Sequence, residues 1–465
     1  MKLAVDWPTK KEKIMQTPNF IAEPAGQVPV VSKSDVLVVG GGPAGISAAA
    51  AAARNGLSVT LVERYPYLGG LASGGMVLVL DDMSNGNEIS VRGICTELID
   101  RMTRMGLCIT PPREDWVSDE AIFRQWARWG VYDFHSHLKP QPICYASAFD
   151  PDGFKNASNA LVLESGVSLR LHSWFSKVLV EDGVIKGVIC DSKAGRQALL
   201  AEIVIDTTGD LDVGAAAGVA HTKGSFIITT VFRLGAVDTA AADRFEYEDP
   251  AAFAVLDREA KRIMGGSWER WWLKTPIPGT VWCNCPHMPG FDGLSVEDLT
   301  AADFKGRERI AQLVAFVREK MPGFENANVV DVAPQVGVRQ SRLLQGQYVM
   351  TKDDVSRRQH FSDSVARGRD YYYPYRSMLS NEVSNLLVAG RHYSATPSAQ
   401  KVSREIPPCM AMGEAAGVAA AVALESQKSL ASIDVRLLQK RLREQGADPG
   451  DQPADNATVN LEAAQ

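Results

Sequence analysis

Basic charge is scarce in this chain. Its 49 Lys and Arg stand against 55 Asp and Glu, a net charge of −6 over 465 residues. That balance lacks the electrostatic footprint of a nucleic-acid-binding protein. A disulfide framework is also missing. The seven cysteines, at 95, 108, 144, 190, 283, 285 and 409, are odd in number and irregularly spaced, which fits reduced thiols in a reducing compartment. The first residues, MKLAVDWPTKKEK, hold no apolar core of a secretory signal. The most apolar stretch, residues 46–53, is too short to span a bilayer. No internal repeat is visible. These absences lead to the expectation of a cytoplasmic protein with neither membrane nor nucleic acid as partner.

With 45% hydrophobic residues, the chain can bury a large core, and its length suggests two or three domains. Residues 1–33 are polar and carry four prolines, and read as an N-terminal arm. Residues 35–39 (DVLVV) form a short β-branched run of the kind found in buried parallel strands. A helical pattern follows over 43–55, stopped by Gly56, and a second strand over 58–62 completes a βαβ unit. Residues 167–171, 175–181 and 184–191 alternate like strands of a meander, with Asp182-Gly183 at a hairpin turn. Further strands are expected at 201–207 and 386–389. Helices are expected at 303–321 and at 411–424, the latter rich in small residues. Residues 221–290 carry four of the nine tryptophans, and the tail after 445 is polar.

The segment Gly40-Gly41-Gly42-Pro43-Ala44-Gly45 places glycine at all three positions of G-x-G-x-x-G. The first allows the tight turn, the second lets the backbone approach a pyrophosphate, and the third lets helix and strand pack closely. Glu63, at the end of the second strand, is placed to accept hydrogen bonds from ribose hydroxyls. Gly69-Gly70 soon afterwards lets the chain pass close to a ligand that continues beyond the pyrophosphate. That suits the ribityl and ring of FAD. A second G-x-G-x-x-G, as a dedicated NAD(P)H domain would carry, does not occur.

Four blocks carry a resemblance: residues 38–75; Ile205-Asp-Thr-Thr-Gly-Asp210 with Asp212; Gly337-Val-Arg-Gln-Ser-Arg342 with Gln347-Tyr348; and NLLVAGRHYSATPSAQKVSREIPPCMAMGEAAG over 385–417. In these the chain resembles the FAD-dependent oxidoreductase family, glutathione-reductase-like flavoproteins distantly related to fumarate reductase flavoproteins. The resemblance implies an α/β fold. A Rossmann-type FAD-binding domain with a three-layer, mostly parallel sheet would be split over 34–100, 160–220 and 375–430. An α+β substrate or cap region would occupy 101–159 and 221–374, and a C-terminal helix with a frayed tail 431–465. It implies that Gly40, Gly42, Pro43, Ala44 and Gly45 belong to the cofactor site, with Gly42 and Ala44 facing the pyrophosphate, and that Glu63 and Arg64 face the adenosine. Gly70 and Leu71 would lie towards the flavin, and the backbone at Val178 would meet adenine. Thr208, Gly209 and Asp210 would close over the nucleotide. Gly390, Arg391, Met410 and Ala411 would stand by the flavin, with the last helix N-terminus stabilising reduced-flavin charge. Many members carry Glu, Cys and His where this chain has Gln340, His392 and Pro397, so the usual histidine base does not transfer to 397.

The flavin does the electron chemistry, and the protein orients substrate and moves a proton. His392, two residues past Gly390, is a candidate acid or base, or else a histidine bonded within a polar loop. Arg404 is a candidate to orient a carboxylate or hydroxyl, or to bind backbone carbonyls. Arg339, with Arg342 three residues on, is a candidate substrate clamp or a member of a salt-bridge network. Tyr371, Tyr372, Tyr373 and Tyr375 line a pocket or fill a core. Cys283-Asn-Cys285-Pro-His287 and His135-Ser-His137 offer too few ligands for a usual zinc site, and no metal is expected. Ser73 stands where a histidyl–flavin link would need histidine, so the FAD is expected to be non-covalent. The expected function is a dehydrogenase or oxidase of a small organic molecule. The alternatives are a reductase of an activated alkene and an electron-transfer protein with a partner. The electron acceptor is left open among oxygen, NAD(P) and a partner protein.

Overall fold

The computed structural model describes residues 21–23, 26–86 and 88–452, and the polar segments at 1–20 and 453–465 lie outside the described residues. Its central sheet contains β1 (Val30–Val39), β2 (Val59–Val62), β3 (Ser168–Arg170), β4 (Trp174–Glu181), β5 (Val184–Ser192), β6 (Gly195–Asp206) and β7 (Leu386–Val388). The strand order is β3-β2-β1-β6-β5-β4. β1 pairs in parallel with β2 and β6, and β2 with β3. β6 divides its other edge. Residues 195–200 run antiparallel to β5, while Val204–Asp206 pair in parallel with β7. Asn385 fills the fork, its amide bonding both the N–H and the carbonyl of Ile185 and the carbonyl of Glu202. The hairpin between β4 and β5 turns on Asp182 and Gly183, both at positive φ, as a type I′ turn requires. β1 begins five residues before the apolar run, because Val30–Ser34 pair with the early part of β6.

Alternation along β1 sorts the two faces. Val36 and Val38 pack with α1 (Pro43–Arg54) and α2 (Ile406–Ser426), while Leu37 and Val39 share a buried cluster with Val178, Ile185 and Val188. α1 and α2 thus cover one face of the parallel strands, and β4 and β5 supply Val178, Ile185 and Val188 to the cluster on the other. α2 starts five residues before the expected helix, since Pro407 sits comfortably in a first turn. By length and composition it is apolar enough to cross a membrane, yet its most apolar stretch is 94% buried within the protein, so residues 46–53 are not the longest apolar segment.

A second buried cluster lies apart, around Trp271, Trp272, Phe232 and Phe324. There the helix Val296–Lys320 supplies Ile310, Leu313 and Val317 beside an antiparallel sheet of Leu273–Lys274, Val281–Cys283, Phe232–Gly235 and Asn328–Val332. The chain over 101–159 contacts both cores, with Arg128 reaching the Trp272 carbonyl and Glu246 beside the second. Helices Ile94–Arg104 and Pro151–Glu164 turn their apolar faces into the first core, and only the segment around Trp126, Val131, Tyr132 and Ile143 has its own small cluster. Tyr371, Tyr373 and Tyr375 are likewise buried in the first core.

Glu414 on α2 caps a neighbouring helix from across the fold. Its carboxylate accepts from the Ile94 N–H at 3.0 Å, where Gly93 leaves Ile94–Arg104 without a local side-chain cap. Burial pushes the Glu414 carboxyl up to about 7. The unfolded chain therefore ionises this group first, and stability attached to it is lost as pH rises from the ordinary carboxyl range through 7. Glu414→Gln is expected to flatten this decline, on the order of 2–3 kcal/mol, in urea unfolding at pH 5 and pH 8. Parallel pH profiles for the two proteins would refute the assignment.

Candidate functional site

β1 delivers the chain to the glycine turn at its carboxyl end. Gly40 adopts φ +108°, and a Cβ there would meet the Thr207 carbonyl oxygen at 2.5 Å. A Cβ on Gly45 would overlap the Gly40 carbonyl, so Gly45 serves the strand–helix contact behind the site. At Gly42 a Cβ would meet nothing within 4 Å. Gly42 is also the N-cap of α1, and no side chain caps that helix. Its free first-turn N–H groups and positive dipole end suit a phosphate.

Gly40, Gly42, Pro43 and Ala44 line a cleft at the carboxyl ends of β1 and β2. Gly70, Leu71, Thr208, Gly209, Gly390 and Arg391 line it as well. An uncapped helix, an open glycine face and a buried Arg391 Nε without a partner together fit the pyrophosphate of FAD.

Glu63 is buried in the cleft wall. Its carboxylate accepts from the N–H of Gly41 at 2.6 Å and of Tyr65 at 2.8 Å. These bonds pin the glycine turn to the end of β2. Burial raises its pKa against the lowering effect of those N–H groups. Arg64 lies over the rings of Tyr65 and Trp174, at 5.1 and 5.4 Å. The cleft reaches β4 at Trp174 and Phe175, with Ser173 just before it. Val178, the expected adenine contact, points into the core cluster and does not line the cleft. The cleft meets the expected strand nearer its start, at Trp174 and Phe175.

Asp210 stands behind the lining. It accepts from Ser341 at 2.5 Å and from Arg391 at 3.0 Å. Burial pushes its carboxyl up, but the Arg391 charge and the Ser341 bond hold it below the ordinary range. His392 is fully buried and does not line the cleft. Its Nε2 lies 3.2 Å from Asp206 Oδ1 and 3.1 Å from the Asp206 carbonyl. Burial raises Asp206, yet the His392 bond and charge, with the Gly214 N–H and Thr208 hydroxyl, keep its carboxyl low. His392 is thus placed to support the strand ends, without access for the acid–base role expected of it.

At the other end of the cleft stand Gln335, Arg404, Ile406 and Cys409. Met410 and Ala411, expected there, directly follow Cys409 on α2 but do not line the cleft, and Met410 is fully buried. Pro407 and Pro408 remove two first-turn N–H groups from α2, so its dipole end has fewer donors than the expected charge-stabilising role would use. Arg339 is buried, and its backbone is tied to that of Arg391 through the Gln400 amide, at 3.0 and 2.9 Å.

Beyond Ile406, its neighbour Glu405 lines a second, polar chamber of about 360 Å³ with Asp81, Asp82, His135 and Arg369. Asp82 adopts φ +59°, is bonded by the Tyr371 hydroxyl, and keeps a buried Oδ1 without a hydrogen-bond partner. Burial pushes its carboxyl up to about 7. The sequence reading missed this chamber, and also Tyr65, Trp174, Phe175, Gln335 and Cys409. The one available signal was the aspartate pair soon after the Gly69-Gly70 turn.

Two outcomes follow for variants. Glu63→Ala strands two buried N–H groups, a cost of about 1–3 kcal/mol each. It is expected to shed FAD on dialysis, read as flavin absorbance per mole of protein. His392→Ala leaves a buried Asp206 charge without its partner and is expected to lower stability by about 1–3 kcal/mol at neutral pH. An unchanged melting temperature with slowed flavin reduction would instead return His392 to acid–base catalysis.

Comparison with known proteins bears on this cleft. The family model described as "FAD dependent oxidoreductase" matches residues 35–371 and 368–442. Among solved structures, the chain is similar to a geranylgeranyl bacteriochlorophyll reductase-like protein from Thermoplasma acidophilum, with 16% identity, TM-score 0.46, and coverage of 89% of this chain and 84% of that one. It is similar to the myxobacterial chondrochloren halogenase CndH at 14% identity and TM-score 0.48, covering 89% and 79%. It is also similar to L-proline dehydrogenase from P. horikoshii at 14% identity and TM-score 0.43, covering 90% and 100%. The named activities of these three differ from one another. With the family match running through the glycine turn, the Asp206–Asp212 loop and α2, this chain belongs to the FAD-dependent oxidoreductase family and is a flavoenzyme.

Proposed function

We propose that the protein transfers a hydride between a small organic substrate and non-covalently bound FAD, as a dehydrogenase or oxidase. The observation that carries this reading is the far end of the cleft. Past the pyrophosphate cradle it is lined by Gln335 and Arg404. Gln335 follows the strand Asn328–Val332, whose Val332 packs against the second buried core, and its N–H bonds the Gly74 carbonyl at 3.1 Å. A separate core that reaches back to the flavin end suits a substrate cap over 221–374, which an electron carrier would not need. Ser73 donates to the Leu68 carbonyl at 2.6 Å, in keeping with a flavin held without a covalent link there.

Bound FAD supplies the two-electron chemistry. The chain's own residues supply orientation and proton transfer. Arg404 faces the cleft and orients substrate, with Arg339 behind it. Asp82 lines the neighbouring chamber and not the cleft, so it takes the substrate proton where the substrate reaches past Glu405 into that chamber, and the Tyr371 hydroxyl holds its carboxylate in place.

Anaerobic mixing of the holoenzyme with a panel of alcohols, amines and organic acids tests the reading. Bleaching of the flavin without a partner protein is expected. Failure of every donor, alongside reduction by a partner flavoprotein, would make the protein an electron carrier. Because a base must be deprotonated to act, the bleaching rate is expected to rise with pH through about 7 and to lose that step in Asp82→Asn.

A further inference from the structure

Four arginines are buried among the described residues: Arg128, Arg233, Arg339 and Arg367. Three have carboxylate partners. Arg128 pairs with Glu246 at 2.5 Å and Asp243 at 3.6 Å, Arg233 with Asp150 at 2.6 Å and Asp331 at 2.5 Å, and Arg367 with Asp448 at 2.9 Å. That is the expected state of a guanidinium removed from water. Arg339 is the exception. Its residue exposure is 5%, and no carboxylate among the described residues lies within ion-pair distance of it. One nitrogen reaches Asn284 Oδ1 at 3.0 Å, and Nη1 has no hydrogen-bond partner.

Its surroundings sharpen the anomaly. The guanidinium lies 5.4 Å from the Trp268 ring, which meets His287 edge-on at 5.0 Å. Burial, with the Arg339 charge, pushes the His287 imidazole down to about 4, so it is neutral at pH 7 and its buried Nε2 is unpartnered. Arg404 is close enough for its charge to act on Arg339. Arg404 has Glu405 at 3.6 Å, yet its Nε is buried and unpartnered. Burial and the Arg404 charge push Arg339 down to about 9, which leaves it charged at neutral pH. Two cations therefore share one carboxylate; Arg404 lines the cleft, Arg339 lies buried behind it, and each keeps an unused donor.

We infer that the substrate is a small organic acid whose carboxylate docks between Arg339 and Arg404 and supplies the missing counter-charge. This rests on the reading of the cleft as a site for a small organic substrate. A carboxylate matches the planar fork of a guanidinium and can accept from both side chains at once. An unpaired buried cation beside a cofactor cleft is the kind of stored imbalance that functional sites hold and structural ion pairs do not.

The test uses the FAD-loaded protein and simple probes. Succinate and benzoate are titrated in, and perturbation of the flavin spectrum and of the melting temperature is read. Succinamide and benzamide serve as uncharged counterparts. Saturable binding of the acids and none of the amides is expected. Arg339→Met and Arg404→Met are each expected to weaken acid binding by about tenfold or more with FAD retained. Arg376→Met, which removes a surface guanidinium paired with Asp363 at 3.4 Å, is expected to leave it unchanged. Equal binding of acid and amide, no response to any acid, or unchanged binding in both methionine variants overturns the inference. A response to inorganic phosphate or sulfate in place of the acids overturns the carboxylate assignment. If Arg339→Met sheds FAD, Arg339→Lys decides: weakened succinate binding sustains the inference, and tight binding ends it. Acid binding without bleaching by any donor would leave this inference standing and remove the hydride-transfer reading, whereas bleaching by amines or alcohols without acid binding would do the reverse.

Discussion

α1 and α2 meet along glycine and alanine, and the site depends on how close that contact is. A Cβ on Gly413 would overlap the Ala44 carbonyl, and one on Gly417 would overlap that of Ala48. Backbone rests on backbone with no side chain between, so the spacing of the helices tolerates no added methyl group. Their N-termini are thereby fixed relative to each other. One faces the pyrophosphate cradle at Gly42, and the other brings Ile406 and Cys409 to the flavin end of the same cleft. An error of an ångström in this packing would separate the two ends that one extended cofactor must touch together.

The cleft is also organised by where its carboxylates spend their charge. Glu63 holds the glycine turn, Asp206 holds His392 and the loop at Thr208, and Asp210 holds Arg391 and Ser341. Each is buried and each is satisfied by donors of the chain itself, which makes the cradle rigid before any ligand arrives. The substrate end is built in the opposite way. Arg339, Arg404 and Asp82 each keep a buried polar atom without a partner. At the cradle the open donors are instead the first-turn N–H groups of α1 and Arg391 Nε, which suit phosphate.

The sequence by itself determined the βαβ unit, the glycine turn, the hairpin at Asp182-Gly183 and the identity of the cofactor. Each is written in local pattern, such as a β-branched run, glycines at fixed spacing, or a turn that needs positive φ. Even there the ends moved, as with β1 at Val30 and α2 at Ile406, because pairing with β6 and a proline-started first turn extend elements past their apolar cores. What only tertiary structure decided is where side chains point and which charges meet. His392 follows Gly390 by two residues, yet Leu344, Asp206 and Gly390 surround it with backbone and close it off from the cleft. Val178 and Trp174, four residues apart on one strand, would share a face by alternation, but the register shift against β5 between Phe175 and Lys177 breaks that pattern, so Val178 joins the core while Trp174 lines the cleft. Asp82 and Tyr371 are 289 residues apart in sequence, and no local pattern joins them. The charge state of Arg339 likewise depends on which carboxylates the fold brings near, and that is a property of packing across the chain, which periodicity and spacing cannot carry.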